Sequence, residues 1–71
     1  MSGGEYKKAE ENYRQAIRLA PDMPYFYVLL AGCYGRQRLY DKALKELEAA
    51  KKINPEFSLA YLKSGAIYAL M

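Results

Sequence analysis

An all-α fold of antiparallel helical hairpins is what this sequence predicts, and three observations point to it. First, the chain repeats itself. Displaced by 34 residues, Tyr6 falls on Tyr40, Lys8 on Lys42, Ala9 on Ala43, Ala16 on Ala50, Pro21 on Pro55, Tyr27 on Tyr61 and Tyr34 on Tyr68. A fixed period of that length marks stacked units, none of which buries its apolar face alone. Second, apolar residues recur at steps of three and four and nowhere alternate with period two, the helical rather than the strand pattern. Third, prolines and glycines cut the pattern into segments whose connections, of about two to five residues, force neighbouring helices antiparallel.

The first helix is expected from about Glu5 to Ala20, with Tyr6, Ala9, Tyr13, Ala16, Ile17 and Ala20 on one stripe. Pro21 stops it, because a residue before proline avoids the helical region. The second opens near Pro24, a residue suited to a first helical turn. It carries Tyr27, Leu30, Ala31 and Tyr34 inward and fades at Gly35-Arg36-Gln37-Arg38. The third begins near Tyr40, shows Ala43, Leu47, Ala50 and Ile53 on one face and stops at Asn54-Pro55. The fourth spans roughly Phe57 to Leu70, with Tyr61, Gly65 and Tyr68 in the register of the second. Ala9, Ala16, Ala31, Ala43, Ala50 and Gly65 are the small residues expected where helix axes approach to ~8–10 Å.

At 71 residues the chain is one small domain or a piece of a longer array. A hydrophobic fraction of 52%, much of it in eight tyrosines, is enough for a core with little margin. The net charge of +3, from 11 basic and 8 acidic residues, is mild and interleaved. No block of like charges suggests a nucleic-acid tail or a membrane patch. Glu10–Arg14 and Glu48–Lys52 have the spacing of ion pairs on solvated helix faces. Glu10, Glu11, Glu46 and Glu48 are all expected on such faces.

Cys33 is the single cysteine, so no disulfide closes within the chain and a reducing, cytoplasmic setting is the natural one. Flanked by Gly32 and Tyr34, it reads as a small packed hydrophobe rather than a reactive thiol. With no histidine, neither a nucleophile–base pair nor a metal shell can be assembled, so an enzyme is not expected and no cofactor is implied. The longest apolar run, Tyr25 to Cys33, falls far short of the ~20 residues of a spanning helix. Residues 1–3 read as a flexible leader.

Large and small residues in this order, on this frame, resemble the tetratricopeptide repeat. That family's unit is a helix A, a tight turn and a helix B. Its preferences run large, large, small, aromatic in helix A, then aromatic, alanine, aromatic, alanine and proline through helix B. The segment 24–57 matches a complete unit through Tyr27, Leu30, Ala31, Tyr34, Tyr40, Ala43, Leu47, Ala50 and Pro55. Residues 4–23 match a helix B alone, through Tyr6, Ala9, Tyr13, Ala16 and Pro21. Residues 58–71 match a helix A alone, through Tyr61, Gly65 and Tyr68; Ser64 departs from the pattern, which favours a large apolar residue there. The resemblance implies a short right-handed α-solenoid of four helices in the order B-A-B-A.

That phase implies two uncovered faces. Tyr6, Ala9, Tyr13 and Ala16 lack the helix A of their unit, and Tyr61, Gly65 and Tyr68 lack their helix B. Ala66, Ile67, Ala69, Leu70 and Met71 are not the polar outer face with which arrays normally end. Copies are therefore expected to dock through these faces as homo-oligomers. A frayed fragment, natural or engineered, is the other reading.

The resemblance also implies a concave groove lined by helices A, in which family members bind an extended peptide or a helix. By register its positions are Tyr25, Val28, Gly32, Gly35 and Arg36 from the second helix, with Leu59, Leu62, Lys63, Ala66 and Ala69 from the fourth. Lys63 or Arg36 is available for a carboxylate. One subfamily grips a C-terminal carboxylate with lysine, asparagine and arginine. Of those positions only Lys63 carries a cation here, while Gly32, Leu29 and Leu59 do not fit. A protein or peptide is thus the expected partner. RNA is the weaker alternative, because helical repeats of similar length read single strands and Tyr25 near Arg36 offers only one stacking pair.

Overall fold

The computed structural model describes residues 3–71, in four helices: α1 (Gly3–Leu19), α2 (Pro24–Arg36), α3 (Tyr40–Ile53) and α4 (Ser58–Leu70). Most of the expected leader lies outside the described residues, but Gly3 and Gly4 already belong to α1. A first turn tolerates them because its amides have no intrahelical partner to lose. Pro24 sits in the first turn of α2, as its fixed φ favours. No described helix is long and apolar enough to cross a membrane.

α2 ends at Arg36, within the stretch Gly35-Arg36-Gln37-Arg38 where it was expected to fade. Gly35 stays within the helix, and Arg38 takes the left-handed position, at φ 64°. Leu39 N–H donates to Tyr34 C=O (2.9 Å) and Arg38 N–H to Gly35 C=O (3.1 Å). This is the paired closure of a Schellman ending, in which glycine usually holds the left-handed site. At the α3–α4 turn the Asn54 side chain accepts the Glu56 N–H (3.0 Å), a local bond that bends the chain out of the helix.

α2 is the centre of the fold. It packs most widely on α3, then on α1, and also touches α4, while α3 packs on α4. The Cα extents, 35 × 31 × 14 Å, describe a thin slab, so full burial concentrates along the α2–α3 seam. Ala43, Leu47 and Ala50 are sealed there against Val28, Leu30, Ala31 and Tyr34. Their alternation of small and large residues lets the two helices approach closely. Two core members come from α4: Ala60, which the sequence pattern did not single out, and Ile67, which was expected on an open face. Ile67 is buried because its Cδ1 reaches Gly35 on α2.

Gly65, expected at a close approach of helices, is exposed, and a β-carbon there would meet nothing within 4 Å. Of the expected ion pairs, Glu10–Arg14 forms at 3.4 Å. Glu48 pairs instead with Lys51, one residue short of Lys52, also at 3.4 Å. Lys51 is the better placed because its Nζ lies 4.8 Å from the centre of the Tyr61 ring, which adds a cation–π attraction.

Candidate protein-interaction groove

The surface beside α2 and α4 holds two hollows that the 34-residue repeat relates to one another. The larger, about 570 Å³, is lined by Tyr13 of α1 and by Leu29, Gly32, Cys33 and Arg36 of α2. The smaller, about 360 Å³, is lined at the equivalent positions by Leu47, Lys63, Ala66, Ile67 and Leu70. Each therefore sits between a helix of the α1/α3 kind and the helix that follows it. Gly32, Arg36 and Lys63 line both, so the hollows adjoin.

Of the residues placed in a groove from sequence, Tyr25, Val28 and Leu59 line the larger hollow, and Gly35 and Ala66 the smaller. Gly32, Arg36 and Lys63 are common to the two. Leu62 and Ala69 line neither; Leu62 is 68% exposed, set aside from the Leu59–Lys63–Ala66 stripe by the helical step. Val28 is buried and serves as floor, whereas Tyr25 is 48% exposed and stands at the rim. Leu29 and Cys33 line the larger hollow as well. Burial pushes the Cys33 thiol up from its usual range, the Glu10 charge adds to this, and Arg36 opposes it. The group is a buried thiol rather than a nucleophilic thiolate.

Tyr6, Ala9 and Tyr13 are half-buried along the outer wall of the larger hollow, and Ala16 is half-buried beyond it. Tyr61, Gly65 and Tyr68 are exposed together on α4. No close backbone contact joins α1 to α4, so these two sets of residues do not meet within one chain.

The family model described as Tetratricopeptide repeat matches residues 1–66. The chain belongs to this family. Among its relatives, the small glutamine-rich tetratricopeptide repeat-containing protein 2 of Mycosarcoma maydis is 34% identical over 92% of the chain and 18% of the relative. The Heat-shock protein cognate (HSC) co-chaperone sgt12 of Aspergillus fumigatus is 32% identical over 92% of the chain and 19% of its own length. The Hsp70-Hsp90 organizing protein of Triticum aestivum is 30% identical over 94% of the chain and 12% of its length. The chain thus spans less than a fifth of the curated relatives it matches. No solved structure matches it.

Membership of the tetratricopeptide repeat family explains the paired hollows as one feature of a stacked helical-hairpin solenoid, shown twice. A third hollow, about 220 Å³, lies apart from them, between Arg14, Ile17 and Arg18 of α1, Tyr27 and Leu30 of α2, and Glu46 of α3. Here the expectation that Glu46 is solvated fails. It is half-buried, and burial raises its carboxyl above the usual range although Arg14 and Lys45 draw it down. Arg14 also donates a hydrogen bond to the Tyr34 hydroxyl. The Tyr34 ring has Arg14 and Lys42 at 6.0 and 5.8 Å from its centre. Burial is the main cause of the raised Tyr34 ionisation, with Arg14 opposing it. Sequence alone offered no sign of this cross-repeat clasp, because Arg14 and Tyr34 are 20 residues apart and the spacing of Arg14 pointed only to Glu10.

Proposed function

We propose that the chain is a non-catalytic protein-interaction module that takes an extended peptide, or a helix of a partner protein, along the groove formed by α2 and α4. One observation carries this reading: two adjoining hollows share Gly32, Arg36 and Lys63. Such a surface offers successive seats for apolar side chains, with two exposed cations beside them for a carboxylate. The glycine at the junction leaves room for a backbone to pass. Relatives named as an HSC co-chaperone and as an Hsp70-Hsp90 organizing protein make a segment of a heat-shock chaperone the first partner class to test. Only Lys63 fits the carboxylate-gripping pattern known in the family, so the apolar side chain is read at least as strongly as the charge. A reducing, cytoplasmic setting belongs to this reading and suits the free, buried Cys33.

The test is a fluorescence-anisotropy titration with two labelled octapeptides, both with leucine next to the last residue, one ending in a free carboxylate and one in an amide. The acid is expected to bind, and the amide to bind several-fold more weakly. Lys63→Ala and Arg36→Ala should each erode the difference between them. Tyr25→Ala should weaken both peptides while leaving the melting temperature nearly unchanged. Equal affinities that ignore Lys63 remove the carboxylate from the reading, and no binding of either peptide removes the groove.

A further inference from the structure

We infer that the apolar side chain taken by the groove is an aromatic ring, seated in the smaller hollow and carried by a partner residue next to its C-terminal carboxylate. Such a ligand presupposes the peptide site proposed above and narrows what that site selects.

The smaller hollow is a seat that the chain completes by itself. α2, α3 and α4 all contribute to its lining, and α1 does not. The fold also displays where a further unit goes. α3 and α4 continue the row begun by α1 and α2, yet the larger hollow stays open beside them. Units added beyond α4 in the same manner leave the smaller hollow open as well. Its floor is shallow in side chains: Ala31, Gly32, Gly35 and Ala66 carry at most a methyl group, and about 360 Å³ is left unfilled.

Charge separates an aromatic ring from an aliphatic side chain of similar bulk. Arg36 and Lys63 line this hollow, whereas no acidic and no aromatic residue does, among the described residues. Neither cation has an ion-pair partner among the described residues, and α4 contains no acidic residue. Elsewhere in the fold cations rest against rings: Lys42 lies 5.8 Å from the centre of the Tyr34 ring and Lys51 4.8 Å from that of Tyr61. Here the chain offers two cations and no ring. An incoming ring supplies the missing face, on which a guanidinium stacks flat or an ammonium is drawn in. The other cation is left for the carboxylate beside it. The larger hollow, with Glu5 and three tyrosines in its lining, already has both a carboxylate and rings of its own.

The test starts from the acid octapeptide with leucine next to its last residue. Three variants of it replace that leucine by alanine, phenylalanine or cyclohexylalanine, the last having the bulk of phenylalanine without its π face. Anisotropy titrations of the parent chain are expected to place phenylalanine at least about tenfold above alanine. It should also stand about three-fold above leucine and cyclohexylalanine. Ala66→Leu then fills the smaller hollow from an exposed position outside the core, and the melting temperature checks that it folds. It should weaken the phenylalanine peptide about tenfold and leave the alanine peptide within about twofold. Cyclohexylalanine or leucine binding as tightly as phenylalanine overturns this occupant while the groove stands. So does a phenylalanine preference that survives Ala66→Leu, or an affinity indifferent to the varied residue. If none of the peptides binds, the groove and its aromatic occupant fall together.

Discussion

A β-carbon at Gly35 of α2 would stand 3.1 Å from the Cδ1 atom of Ile67 on α4. This approach sets how near the two groove-lining helices lie. Ile67 Cδ1 is the free end of a flexible side chain and can yield a few tenths of an ångström. Gly35→Ala should therefore change stability by less than ~1 kcal/mol, the small clash offset by the better helix former. Gly35→Leu should cost about 1–3 kcal/mol, because overpacking forces the helices apart. Urea unfolding of the pair is the measurement; an equal loss in both would mean that the α2–α4 contact cannot yield at all.

Leu47 and Tyr68 should separate the sealed seam from the bare face. Leu47→Ala removes a fully buried side chain and should cost about 2–5 kcal/mol. A chain of this size holds only about 4–10 kcal/mol in total, so a large part of its thermal transition should vanish. Tyr68→Ala should move stability by less than ~0.5 kcal/mol. Thermal denaturation followed at 222 nm distinguishes them, and a Tyr68 effect as large as that of Leu47 would place Tyr68 in the core.

Helix number, order and the seam were legible because period and residue size both encode them. Leu30, Ala31, Tyr34, Ala43, Leu47 and Ala50, read as inward from spacing alone, are all buried. What escaped the sequence depends on contacts between units. Ile67 looks like surface until α2 is placed beside it, and Arg38 carries a left-handed turn that its side chain does not announce. Glu46 has the spacing of a solvated residue, but it shares a hollow with Arg14 and Ile17 of α1 and Tyr27 and Leu30 of α2, contacts between units that its spacing does not reveal. Register placed eight of the ten expected groove residues along the two hollows, but it did not foresee Leu29, Cys33, Leu47 or the α1 residues that also line them. It could not tell floor from rim, which separates Val28 from Tyr25.

Ser64 stands where the repeat has Leu30, and it is 4% exposed with no partner for its hydroxyl. A buried hydroxyl without a hydrogen bond costs about 1–3 kcal/mol, and serine is also the weaker helix former. Ser64→Ala should stabilise the fold by about 1–2 kcal/mol in a urea titration. A loss instead would show that the hydroxyl has a partner, such as the Ala60 carbonyl one turn back.

Glu46 gives the chain a pH dependence whose sign is fixed by its surroundings. Burial holds its carboxyl above the ordinary value, with Arg14 and Lys45 only partly compensating. The folded state therefore binds this proton more tightly than the unfolded chain does. The contribution is most favourable below the unfolded value, about 4.3 for glutamate, and is lost as pH rises through the folded one. Glu46→Gln mimics the protonated side chain at every pH. Variant and parent should be equally stable near about pH 3.5, and the variant should gain on the parent as pH climbs to about 7.5. Urea midpoints at several pH values decide it. A parent chain more stable than the variant at neutral pH would mean that the attraction of Arg14 outweighs the desolvation of Glu46, and the hollow between α1 and α3 would then be an ion-pair site instead of a strained one.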